Sequence, residues 1–96
     1  MTNVIVSLAA EIDYTDSLNW YAARSVDIAN DFDAEFDRAL SKIANAPECF
    51  PLCDARHRYF LLRRFPFRII YRIIHDDVVV IAVAHTSRSP NYWVDR

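Results

Sequence analysis

The side chains able to do acid–base or phosphate chemistry gather toward the end of the chain: His85, Arg88 and Tyr92, with Trp93 beside them and Arg64 on an earlier stretch. Cleavage of RNA through its 2′-hydroxyl asks for a base to take that proton, cations for the charge developing on phosphorus, and an acid for the leaving oxygen. Arginines such as Arg88 and Arg64 suit the second task. The base is the difficulty. The only lysine, Lys42, falls in a helical stretch, and arginine does not give up its proton at neutral pH. His85 is the remaining base, with an ordinary pKa of about 6.5, if it projects from a strand end toward Arg88. It can equally be a buried histidine bonded to backbone, while Tyr92 and Trp93 are read first as covering the edge of the core and only second as stacking on a base or partner. Without hydrolysis, Arg64, Arg88, Tyr92 and Trp93 become a grip on a macromolecular target. Arg88 leads that grip, because there a rigid strand meets a loop.

The other reactive types lead nowhere as specific. Cys49, Cys53 and His57 are evenly spaced, yet they have no evident fourth ligand and match no common zinc pattern. Neither a metal nor any other cofactor is expected. Two cysteines in a reducing compartment also argue against a structural disulfide. His75 sits in a turn and His57 beside a loop, so both are weak candidates.

The charge is unevenly spread. Residues 1–48 carry nine acids against Arg24, Arg38 and Lys42, whereas residues 49–96 carry eight arginines against four acids. Such asymmetry marks a face for an anionic target or, equally, an acidic solvated helix pair beside a sheet with some arginines. The net charge of −2 counts against an autonomous RNA binder, whose affinity leans on phosphate neutralisation. A chain of 96 residues, 53% of them hydrophobic, is expected to fold as one domain over residues 1–96 with an adequate core. Its longest apolar run, Val78 to Ala84, is far short of the roughly 20 residues of a membrane helix. The first residues lack the basic start and cleavage site of a signal peptide, so a cytoplasmic protein without membrane association is expected.

The elements that must position these residues follow from periodicity. Val4 to Leu8 reads as a short strand. Asp13 is the expected N-cap of a first helix, with Tyr14, Ser17, Leu18 and Tyr21 on one face, ending near Arg24 to Ser25. A second helix is predicted from about Asp27 to Asn45. Its face of Ile28, Ala29, Phe32, Phe36, Ala39, Leu40 and Ile43 opposes Asp31, Asp33, Glu35, Asp37 and Lys42, and Pro47 stops it. After an irregular stretch, His57 to Arg63 reads as a strand. Phe65, Phe67, Ile69, Tyr71 and Ile73 then alternate with Arg68, Ile70, Arg72 and Ile74, so the first set must meet the helices. His75-Asp76-Asp77 supplies a turn, and Val78 to His85, apolar on both faces, returns as a central strand. The prediction is an α+β fold in the order β-α-α-β-β-β: an N-terminal strand, an antiparallel helical hairpin, and a three-stranded antiparallel meander, with the helices on one face of the sheet.

Several pieces together carry a family resemblance: Asn19-Trp20-Tyr21 with Arg24, Phe32 to Ile43 with Pro47, Arg64-Phe65-Pro66-Phe67 leading into Ile70-Tyr71-Arg72, and Ala82-Val83-Ala84-His85 with Ser87-Arg88 and Pro90. Over nearly its whole length the chain resembles the RelE/ParE superfamily of toxins from bacterial type II toxin–antitoxin systems, and its His-x-x-Arg-x-Pro ending is closer to the ParE-like branch. The resemblance implies a compact growth-inhibiting toxin of the plasmid-stabilisation or stress-response kind, held in a hetero-oligomer by a cognate antitoxin. ParE-like members poison DNA gyrase, whereas RelE-like members are ribosome-dependent mRNA endonucleases that use lysines, arginines and a C-terminal tyrosine. Here Arg88 and Tyr92 stand at the corresponding end, and the lysine base is missing. The expectation is therefore gyrase inhibition through Arg64, Arg88, Tyr92 and Trp93. The alternatives are an mRNA interferase using Arg88, Tyr92 and His85, or a degenerate toxin that only binds its antitoxin.

Overall fold

The computed structural model describes residues 2–88 and 92–96. Its elements are β1 (Val4–Val6), α1 (Leu8–Ala22), α2 (Val26–Asn45), β2 (Arg58–Leu61), β3 (Phe67–Ile74) and β4 (Asp77–His85). This is the predicted β-α-α-β-β-β order. The strands form one sheet in the order β1-β4-β3-β2, with β1 parallel to β4 and the remaining pairs antiparallel.

The first helix starts earlier than expected. Ser7 Oγ accepts from the Ala10 N–H at 3.1 Å, which makes Ser7 the N-cap of α1. Asp13 is not a cap; it lies inside the helix. Short polar residues cap because their oxygen reaches an unpaired N–H of the first turn, and Ser7 does so directly after β1. The first strand accordingly closes at Val6. The same device starts α2, where Ser25 Oγ accepts from Ile28 N–H at 3.3 Å.

The main core lies between the helices and one face of the sheet. Phe32, Phe36, Ala39 and Ile43 of α2 and Ala10 of α1 meet Phe67, Ile69 and Tyr71 of β3 and Val78, Val80 and Val83 of β4. Here a three-and-four residue helical stripe packs on a strand that alternates every second residue. Tyr21 and Phe65 stand with ring centres 5.1 Å apart and Phe32 and Phe67 5.3 Å apart; such pairs contribute about 0.5–1.5 kcal/mol each beyond area burial. Tyr71, fully buried, donates its hydroxyl to the Pro47 carbonyl at 2.6 Å, fastening the end of α2 to the sheet. Burial pushes that hydroxyl up to about 12.

The opposite face is covered too. Ile70 pairs with Ala82 and Tyr71 with Val80, so Ile81 is an extra residue in β4, a β-bulge. Ile81 and Ala82 both join a second cluster with Ile70, Ala84 and Trp93 from the C-terminal tail. Arg68 is therefore not simply a solvated stripe. It is half-buried, its guanidinium carbon 5.4 Å from the Trp93 ring centre and 5.6 Å from that of Tyr59.

The loop between β2 and β3 is fixed by Glu35, which the helical pattern assigned to a solvated face. Glu35 is only 8% exposed. Its carboxylate accepts from the backbone N–H of Arg63 at 2.5 Å and of Arg64 at 3.3 Å. Those two N–H groups are thereby withdrawn from the ladder and Pro66 has none to give. That is why the strands end at Leu61 and resume at Phe67, inside the expected limits. No described helix is long and apolar enough to cross a membrane.

Candidate functional site

At the end of β4 the chain makes a tight turn in which Arg88 N–H donates to the His85 carbonyl at 3.1 Å. Thr86 N–H donates to the Pro66 carbonyl at 2.8 Å, joining this turn to the β2–β3 loop. The two loops form one rim at the end of the β3–β4 ribbon. A rigid sheet thus presents His85, Ser87 and Arg88 on short connections, the arrangement in which loops carry function.

His85 is half-buried, with its ring edge-on to Phe67 at 5.0 Å between centres. Its Nδ1 lies 3.1 Å from Ser87 N and 2.7 Å from Ser87 Oγ. A backbone N–H can only donate, so Nδ1 is the accepting nitrogen and the proton of the neutral ring sits on Nε2. As placed, Nδ1 of His85 is engaged with Ser87.

Arg88 stacks on Tyr92, with its guanidinium carbon 3.8 Å from the ring centre, and Arg96 approaches the same ring at 4.9 Å. The Tyr92 hydroxyl turns inward and donates to Asp13 Oδ2 at 3.3 Å. Burial, and then the Asp13 charge, raise its pKa above the ordinary phenol value, so the ring serves Arg88 as a platform while its proton is held more tightly.

Asp13 is the hub that the pattern of residues concealed. Its side chain is 8% exposed and accepts from Arg96 Nη1 at 2.7 Å and from the Val83 N–H at 3.1 Å. Pairing of β1 with β4 extends only from Val78 to Val80, so beyond that point β4 has a bare edge. Asp13 satisfies its Val83 N–H, and Arg96 Nη1 donates to its Ile81 carbonyl at 3.2 Å. The tail is thereby pinned to α1, and with it the platform under Arg88. The hydrogen bond that Arg96 donates to Asp13 raises the Arg96 pKa. Glu35 was detectable in principle, since it lies three residues from the core position Phe32 on the apolar face of α2.

The remaining expected site residues are dispersed. Arg64 pairs with Asp31 of α2 at 3.3 Å, both side chains largely exposed. No described contact joins it to His85, Arg88 or Tyr92. Trp93 is 2% exposed; it belongs to the core under Arg68, with no ring face left for a target. Ser89, Pro90 and Asn91, part of the His-x-x-Arg-x-Pro ending, lie outside the described residues. The rim gains one member that was read only as a helix residue. Trp20, 54% exposed, is held by the Arg24 guanidinium 3.5 Å from its ring centre. With Tyr21, Pro66 and Phe67 it walls an apolar cleft of about 580 Å³ that has Asp16 and His85 at its polar edge.

His57 stands apart from this rim. It is buried, and its Nδ1 donates to Asp54 at 2.8 Å. Asp54 also accepts from the N–H groups of Arg56 and His57. These bonds, the Arg56 N–H foremost, hold the carboxyl at about 2. The dyad closes the turn before β2. Cys49 and Cys53 are free thiols, and among the described residues no group of three or more His, Cys, Asp and Glu could hold a metal ion.

Comparison with known proteins adds the following. The sequence profile of the family described as "ParE toxin of type II toxin-antitoxin system, parDE" matches residues 4–90. Among curated proteins, Toxin ParE2 of Mycobacterium tuberculosis, in strains CDC 1551 and H37Rv, is 27% identical over 82 residues, covering 84% of this chain and 78% of the relative. A chain from the structure of the chromosomal ParDE system of P. aeruginosa superposes with a TM-score of 0.78 at 13% identity, covering 91% of this chain and 98% of that one. At that identity the structural likeness speaks for the fold.

Proposed function

The chain belongs to the ParE family of toxins of type II toxin–antitoxin systems, and from that premise we propose that it inhibits growth by binding DNA gyrase and blocking replication, until a cognate antitoxin silences it in a hetero-oligomer in the cytoplasm. The contact would be made by the rim of His85 and Arg88, with the Tyr92 ring as platform and Arg64 on the adjoining loop. Trp93 takes part only by supporting the sheet beneath.

The observation that carries a binding mode over RNA cleavage is the hydrogen bonding of the rim. His85 accepts through Nδ1 from Ser87, and the Tyr92 hydroxyl is spent on Asp13. Lys42 lies on α2 beside Phe60 rather than at the rim. Cleavage needs a base within reach of the substrate hydroxyl, and in this arrangement His85 Nδ1 and the Tyr92 hydroxyl are both engaged within the protein. A guanidinium stacked on an aromatic ring presents its fork of donors to a carboxylate or a phosphate.

Expression of the chain in a bacterium with and without its antitoxin tests this reading. DNA synthesis should stop before protein synthesis, and co-expression of the antitoxin should restore growth. An immediate stop of translation with cut mRNA would replace the reading by an mRNA interferase. Harmless expression would reduce the chain to an antitoxin-binding module.

A further inference from the structure

A second concavity, of about 360 Å³, lies between α2 and the end of β2, floored by Ala39 and Phe60. Around it stand Arg38, Lys42, Arg63 and Arg64, four of the chain's eleven basic residues and its only lysine. The acids nearby are already engaged. The Glu35 carboxylate is taken up by the backbone N–H groups of Arg63 and Arg64, and Asp31 pairs with the Arg64 guanidinium. Among the described residues, Arg38, Lys42 and Arg63 have no ionic partner. Three uncommitted cations therefore border one hollow whose floor is apolar, with Lys42 Nζ 6.0 Å from the Phe60 ring centre.

Like charges gathered at one concave site repel unless an anion joins them. We propose that this hollow docks a short acidic peptide segment of a partner protein, a glutamate or aspartate side chain reaching Arg38, Lys42 and Arg63 while an aliphatic neighbour packs on Phe60 and Ala39. Two features select a peptide over a nucleic acid. The hollow holds a few side chains and not a run of nucleotides. Beyond it, α2 exposes Asp27, Asp33 and Asp37, which would repel the phosphates of a strand continuing along the helix. A side-chain carboxylate enters without that cost, and its methylene groups suit the apolar floor. Of the residues lining this surface only Arg64 is shared with the proposed target contact, so Arg38, Lys42 and Arg63 can be varied without touching His85 or Arg88.

The test is an amide NMR titration with an acetylated peptide alternating Glu and Leu, the matching peptide with Gln for Glu, and a single-stranded RNA of similar contour length. The acidic peptide should shift the signals around Arg38, Lys42, Phe60 and Arg63. R38A/K42A should weaken it by ~10-fold or more, since charge-assisted contacts are lost, whereas R88A should leave it unchanged. Both Arg38 and Lys42 are exposed, and an unchanged melting curve verifies that the double variant is folded. K42E should shift preference toward a Lys-for-Glu peptide. Equal shifts with the Gln peptide, indifference to R38A/K42A, or tighter binding of the RNA at these residues would each overturn the proposal.

Discussion

Replacing Asp13 by alanine removes the acceptor of one N–H on the bare edge of β4 and the counter-charge of Arg96. Val83 is 3% exposed, so its orphaned N–H has no ready access to water, and leaving such a donor unpaired costs about 1–3 kcal/mol. The Arg96 side chain is 25% exposed and can turn outward, so loss of its partner adds only about 1 kcal/mol. The expected destabilisation is about 2–4 kcal/mol, a large share of the ~5–15 kcal/mol available to a domain of this kind. In a thermal scan it corresponds to a fall of roughly 8–32 °C. Asp13→Asn keeps an oxygen for Val83 and should cost about 1–2 kcal/mol, chiefly the charge. Urea unfolding of Asp13→Ala, Arg96→Ala and the double variant should give a coupling of at least about 0.5 kcal/mol, because the two groups share one contact. Released from Asp13, the Tyr92 phenol should also titrate closer to its ordinary value, which ultraviolet absorbance reads directly. Loss of less than about 0.5 kcal/mol in Asp13→Ala, the range of a neutral surface change, would refute the assignment of Asp13 as the clamp of the tail.

The same reasoning covers three further perturbations. Trp93→Ala should cost about 3–5 kcal/mol in urea unfolding, as expected for a buried aromatic, and not act as a mere loss of target contact. Glu35→Ala strands the Arg63 and Arg64 N–H groups and should cost about 2–3 kcal/mol, with Glu35→Gln milder, since hydrogen bonds to charged groups are the stronger ones. Tyr71 binds its proton more tightly when folded, its pKa being raised to about 12. Its contribution to stability is thus complete below the unfolded phenol value of about 10 and lost as pH rises toward about 12. Urea midpoints followed into alkali should fall more steeply for the wild type than for Tyr71→Phe.

What could be read in the amino-acid sequence was what repeats. Phe67, Ile69 and Tyr71 alternate with Arg68, Ile70 and Arg72, and Phe32, Phe36, Ala39 and Ile43 recur at helical spacing, so their facing surfaces followed from period alone. The first helix was placed less well because its pattern does not discriminate. Leu8, Ile12 and Trp20 are all exposed, so apolar residues occur on both its sides. Asp13 has the chemistry of a cap, but it serves a tertiary contact with residues 83, 92 and 96. Such a contact leaves no local trace, and neither does the bulge at Ile81. It is this bulge that places Ile81 and Ala82 together over Trp93. At the site, the residue types around His85 and Arg88 were legible. Their state was not, since which His85 nitrogen is free depends on Ser87, and where the Tyr92 hydroxyl points depends on a helix some eighty residues away.

The central claim, that the rim grips gyrase and does not cut RNA, is tested most directly by one assay with purified components. Supercoiling by gyrase is measured against increasing toxin, wild type and Arg88→Ala, while ribosome-bound mRNA incubated in parallel is read for cleavage. The account predicts that the wild type inhibits supercoiling and leaves the mRNA intact, with inhibition weakened ~10-fold or more in Arg88→Ala, the scale of a lost guanidinium contact. Untouched supercoiling together with cleaved mRNA would contradict it.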